Sequence, residues 1–128
     1  MPMIIRKSQS LLIETRREAY NNVTWHVRSN VWRPPTDVYE TDGSVVVKVE
    51  IAGIRDEDLD VVLQDNLLLI SGMRADASGY RAYHQMEIPF GKFSVGIELP
   101  VRVDVEGASA EYKDGFLTIN LPNKESDK

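Results

Sequence analysis

A chain of 128 residues has room for one domain plus an arm, and a body of roughly 90–100 residues can bury a workable core. A net charge of −5 argues against a nucleic-acid partner, and the lack of cysteine removes disulfides and thiolate chemistry, which fits a reducing cytoplasm. The opening Met1-Pro2-Met3-Ile4-Ile5-Arg6-Lys7 is too short an apolar run for a signal peptide, and nothing approaches the roughly 20 apolar residues that span a bilayer.

Residues 1–31 read as an arm. Residues 1–30 hold five basic and two acidic groups, whereas residues 31–128 hold ten basic and eighteen acidic. A mildly basic arm on an acidic body gains modest attraction when it folds back on its own body or a neighbour's. Ile4, Ile5, Ser8, Leu11, Leu12 and Ile13 have rough helical spacing, and Thr15 to Tyr20 favours helix. This predicts a helix within 8–20, ended by Asn21-Asn22. Val23, Trp25 and Val27 then alternate like a short strand. Pro34-Pro35 sets an extended entry into the body.

The body alternates with period two, as half-buried strands do. The apolar series are Val45, Val47, Val49, Ile51; Leu59, Val61, Leu63; Leu68, Ile70; Phe93, Val95, Ile97, Leu99; Val101, Val103, Val105; and Leu117, Ile119, Leu121. Turn residues separate them at Asp42-Gly43, Asp65-Asn66, Ser78-Gly79, Pro89-Phe90-Gly91 and Asp114-Gly115. About eight short strands at this spacing imply an all-β, immunoglobulin-like antiparallel sandwich over residues 32–122. Residues 73–91 form a long insertion, polar at first and then aromatic, with one more strand expected within Arg81–Ile88.

The sequence offers little for chemistry. His26 and His84 lie in different segments, with no partner spaced for catalysis or metal binding. There is no Gly-x-Ser-x-Gly elbow and no glycine-rich phosphate loop, so neither an enzyme nor a cofactor is expected. Asp56-Glu57-Asp58-Leu59-Asp60 lacks the glycine and the twelfth-position glutamate of a calcium loop. Its better reading is a one-turn helix that starts at Asp56 and favours acidic residues in its first turn.

Six blocks occur in an order that carries a family. They are Trp32-Arg33-Pro34-Pro35-Thr36-Asp37-Val38-Tyr39-Glu40-Thr41-Asp42-Gly43, Val47 to Ile54, Asp56 to Leu59, Asn66 to Gly72, Gly91-Lys92-Phe93 followed by Leu99-Pro100, and Ala110 with Gly115-Phe116-Leu117. Together they cover residues 32–122, and the chain resembles a prokaryotic small heat shock protein with an alpha-crystallin domain.

That resemblance implies an ATP-independent chaperone in the cytoplasm, a holdase that keeps unfolding client proteins soluble. Binding an unfolded state needs only accessible apolar surface. The arm supplies Ile4, Ile5, Leu11, Leu12, Ile13, Trp25, Val27 and Trp32 as candidates, with Val23 and Val31 beside them. The resemblance also implies a homodimer, built by exchanging a strand of the long loop and open to larger oligomers. Tyr80, Arg81, Tyr83, His84 and Met86 would then meet Asp37, Val38 and Tyr39 of a second copy. It further implies a tail-binding groove, with Val61 and Leu63 on one wall and Ala110 and Tyr112 on the other.

Two departures stand out. The polar stretch 123–128 carries no Ile-x-Ile or Ile-x-Val motif of the kind that fills this groove in the family. The groove would then be open to a client, to the arm of another chain or to another protein's tail. Phe116 stands where Val or Ile is usual and is expected to reshape the local core. A co-chaperone module of the p23 and CS type, binding one folded partner, is the alternative; the long loop and the Ala110–Leu117 hairpin favour the first reading.

Overall fold

The computed structural model describes residues 2–3, 5–6, 31–75 and 81–124. Its strands are β1 (Pro2–Met3), β2 (Ile5–Arg6), β3 (Thr36–Thr41), β4 (Ser44–Glu50), β5 (Leu59–Gln64), β6 (Leu67–Arg74), β7 (Gly91–Glu98), β8 (Ser109–Lys113) and β9 (Phe116–Pro122). They form two sheets, ordered β1-β8-β9-β4-β3 and β2-β5-β6-β7. Neighbours are antiparallel except β2 and β5, which run parallel.

Period-two alternation places one face of each sheet on the other. Val45, Val47 and Val49 of β4 stand opposite Leu121, Ile119 and Leu117 of β9. In the second sheet Val61 pairs with Ile70 and Leu63 with Leu68, while Ile70 and Leu68 pair in turn with Val95 and Ile97. These side chains and Phe93 make one continuous buried core. The Asp114-Gly115 hairpin forms as expected, with φ of 54° and 84° at its two residues, the left-handed pair that a two-residue turn needs.

Three segments differ from the sequence expectation. Val101, Val103 and Val105 do not form a strand. Pro100 offers no N–H, Val103 makes one isolated bridge to Asn123, and the Asp104 carboxylate accepts from Glu106 N–H at 3.1 Å. That contact starts a 3-10 turn, Val105–Gly107, and ends the extended run. The described residues 81–90 carry no strand: β6 continues to Arg74 and β7 begins at Gly91. Phe116 does not enter the core; it lies on the outer face, 37% exposed, with Lys48 Nζ 4.6 Å above its ring, while Leu117 is the buried residue. The expected arm helix and the strand at Val23–Val27 lie outside the described residues.

Candidate interaction surfaces

One surface surrounds β3, the end strand of its sheet. Its Asp37, Val38 and Tyr39 are all exposed, although Val38 and Tyr39 pair across the ladder with Val47 and Val46. Edge strands of soluble proteins are normally blunted by charge, proline or cover. Here two large apolar side chains, 42% and 45% exposed, stand beside Asp37 and Glu40.

A second surface is the connection between β6 and β7. Arg81, Tyr83, His84 and Met86 are exposed, and so is Ile88 at 63%. Tyr80 lies outside the described residues. The C-terminal part of this connection is anchored by Arg74. Its Nε and Nη2 donate to the Pro89 carbonyl at 3.0 and 2.7 Å, and its Nη1 donates to the Ala52 carbonyl at 3.1 Å. The guanidinium lies 4.5 Å over the Trp32 ring and 5.9 Å from the Phe90 ring centre. Trp32 in turn packs on Phe93 with ring centres 5.6 Å apart, and its Nε1 donates to the Gly91 carbonyl at 3.3 Å. Its backbone bridges to β7, donating to the Lys92 carbonyl and accepting from the Ser94 N–H. Trp32, considered for the arm's client-binding set, therefore caps the sandwich in this state. Met73, Met86, Ile88 and Phe90 surround this clasp and leave an apolar surface next to a pinned loop.

The third surface is the side of the sandwich where β5 and β8 are the edges of the two body sheets. Val61, Leu63 and Ala110 are buried in the core, and Tyr112 is half-buried with its hydroxyl donating to the Ile51 carbonyl at 2.7 Å. All four expected groove residues thus lie on the facing strands β5 and β8, with three of them directed into the interior. Sequence reasoning missed Val62. It pairs with Leu69, and the two form a separate buried pair beside Leu67, away from the main core. The signal was present: Val61-Val62-Leu63 interrupts the alternation with three consecutive apolar residues. Residues 2–3 and 5–6 reach this side. Pro2 and Met3 pair antiparallel with Glu111 and Ala110, and Ile5 and Arg6 pair parallel with Val61 and Val62. The remaining arm candidates Leu11, Leu12, Ile13, Trp25 and Val27, and His26 with them, lie outside the described residues.

The acidic cluster has a local role. Asp56–Asp58 form a 3-10 turn with all three carboxylates in the first turn. Arg55 Nε reaches Asp58 at 3.2 Å and its Nη1 reaches Glu57 at 3.7 Å. The guanidinium is held above its ordinary pKa, first by the hydrogen bond to Asp58 and then by the charges of Asp58 and Glu57. Among the described residues no three His, Asp or Glu side chains group as a metal site, and no helix is long and apolar enough to cross a membrane.

Comparison with known proteins agrees with this geometry. The family model described as the Hsp20/alpha crystallin family matches residues 37–128. The chain is 33% identical over 105 residues to small heat shock protein C4 of Rickettsia felis, covering 80% of this chain and 64% of the relative. It is 37% identical over 100 residues to a 19.0 kDa class II heat shock protein of Oryza sativa, covering 70% and 57%. The chain thus spans less than two thirds of the length of these relatives. Among solved structures, heat shock protein 16.0 from Schizosaccharomyces pombe aligns with a TM-score of 0.65 at 31% identity, covering 75% of this chain and 94% of that one. The hspA protein from Xanthomonas axonopodis aligns with a TM-score of 0.68 at 26% identity, covering 75% and 98%.

Proposed function

The chain belongs to the Hsp20/alpha crystallin family, and from that premise we propose that it is an ATP-independent, non-enzymatic holdase of the cytoplasm that works as a strand-exchanged homodimer. The observation that carries this reading is the distribution of exposed large apolar side chains. Val38 and Tyr39 on the β3 edge, and Tyr83, Met86 and Ile88 on the connection before β7, are all exposed. An edge strand and a segment with no strand partner among the described residues are the two halves of a β-augmentation contact. Residues 81–88 of one copy would add to β3 of the other, Asp37 to Thr41, and reciprocally. The aromatic ring of Tyr83 would add contact area.

Client binding then falls to apolar surface that the dimer leaves available, chiefly the arm residues Leu11, Leu12, Ile13, Trp25 and Val27. Such surface holds a partly unfolded chain by mass action, with no nucleotide step.

The test is heat aggregation of several unrelated thermolabile enzymes in ATP-free buffer, followed by light scattering. Equimolar protein is expected to suppress scattering strongly, and a variant with Leu11, Leu12 and Ile13 replaced by Ser is expected to suppress it weakly. Unchanged scattering with every client would overturn the holdase reading. Full activity in the Ser variant would move the client site off the arm.

A further inference from the structure

Trp32 stands between β3 and the connection that precedes β7. On one side it is joined to β3 by a stiff lead. Pro34 and Pro35 hold their own φ fixed, and the Thr36 hydroxyl donates to the Pro34 carbonyl at 3.0 Å. The Pro35 carbonyl accepts from the Glu50 N–H at 3.0 Å, which fastens this lead to the end of β4. On the other side Trp32 holds the point where the connection re-enters the sandwich. Its Nε1 donates to the Gly91 carbonyl at 3.3 Å, and its backbone bonds to Lys92 and Ser94. Arg74 completes the frame. Its guanidinium stacks on Trp32, donates to the Pro89 carbonyl, and donates to the Ala52 carbonyl in the loop that leaves β4. The path from Trp32 through Pro35, Glu50, Ala52 and Arg74 back to Trp32 is therefore closed. Gly91, at φ 94°, is where the connection would swing most easily, and contacts from Arg74 and Trp32 hold Pro89 and Gly91 in place.

We infer that Trp32 is a positioning residue for strand exchange: it fixes where residues 81–88 leave the body relative to the β3 edge of the same chain. The inference rests on the strand-exchange reading and adds to it a residue that lies in neither exchanging segment. A segment that departs from a fixed point loses less conformational entropy when it docks. It also presents the same offset between donor and acceptor in both copies, which a reciprocal two-fold contact requires. Half-buried between Phe93 and Arg74, the Trp32 ring serves this frame and is not free for a client.

Two measurements on the full chain test it. The protein contains no cysteine, so Thr41→Cys with Ile88→Cys places two nitroxide labels at exposed positions, one at the end of β3 and one on the connection. Distances between labels are read by pulsed electron resonance after dilution with unlabelled protein, so that pairs within one chain dominate. One narrow distribution is expected. Trp32→Leu should broaden it about twofold, and Trp32→Phe, which keeps an aromatic ring, should recover most of the narrowness. Val103→Ala, at a buried site outside the frame, should lower the thermal midpoint and leave the width unchanged. An unchanged width in Trp32→Leu, or equal broadening in Val103→Ala, would overturn the inference. The second measurement is sedimentation over a concentration series, where the Trp32→Leu dimer is expected to be about tenfold weaker than the parent's. Broadened distances with parental dimer affinity would also overturn the inference. A parent that stays a single chain at every concentration would instead sink the strand-exchange reading, and the label distances would then decide by themselves whether Trp32 places the connection.

Discussion

The Tyr112 hydroxyl donates to the Ile51 carbonyl at 2.7 Å across 61 positions of sequence. It ties the β8–β9 hairpin to the loop that leaves β4, where the Ile51 N–H already donates to the Gly115 carbonyl at 2.8 Å. Ile51 itself is fully buried. Tyr112→Phe keeps the ring and removes this bond to the Ile51 carbonyl. A loss of about 1 kcal/mol is expected, the usual net worth of one such bond. Urea denaturation of the two proteins measures it; an unchanged midpoint would mean that water replaces the hydroxyl without cost.

Gly72 is required by space. A Cβ at this position would lie 2.2 Å from the Asp58 carbonyl oxygen and 2.6 Å from Phe93 Cζ. The carbonyl belongs to the backbone and Phe93 is buried in the core, so neither yields easily. Gly72→Ala is expected to cost about 3 kcal/mol, the upper part of the usual range for overpacking. A thermal midpoint within a degree of the parent's would contradict this packing.

Much of the sandwich is legible in the sequence because burial on one face imposes period two. Val45, Val47 and Val49 and their partners Leu117, Ile119 and Leu121 sit where alternation puts them, and Asp114-Gly115 makes the turn that its chemistry favours. The same rule misreads Val101 to Val105, where one carboxylate, Asp104, captures a backbone N–H and bends the chain. Alternation describes a face and does not report local competition for hydrogen bonds. The pairing of residues 2–3 with β8 and of residues 5–6 with β5 was not legible. Two-residue strands are too short to show a period, and their partners lie more than fifty residues away. Arg74 was equally hidden: it stands in a polar stretch, and its partners Trp32, Ala52, Pro89 and Phe90 come from three other segments.

Arg74 acts as the clasp of the long connection. Arg74→Ala removes three hydrogen bonds and the stack on Trp32, and Arg74→Lys restores the charge without the planar fork. The contacts are partly solvent-exposed, so the global loss should be small, about 1 kcal/mol. The local effect should be larger. Hydrogen exchange and limited proteolysis across residues 81–90 are expected to accelerate in both variants. Full rescue by lysine would show that charge alone holds the loop.

The dimer proposal turns on apolar side chains that the single chain leaves in water. Tyr83 is 45% exposed and Met86 58%, and neither belongs to the buried core. Replacing both with Glu therefore removes almost nothing from the folded sandwich, and its thermal midpoint should stay within a few degrees. In a strand-exchanged dimer the same two residues lie against β3 of the partner, close to Asp37 and Glu40. Two new carboxylates there would be desolvated and would face like charge. Light scattering is expected to show a native mass reduced to that of a single chain, with higher oligomers lost as well. An unchanged mass together with an intact fold would place the dimer contact elsewhere, away from residues 81–88.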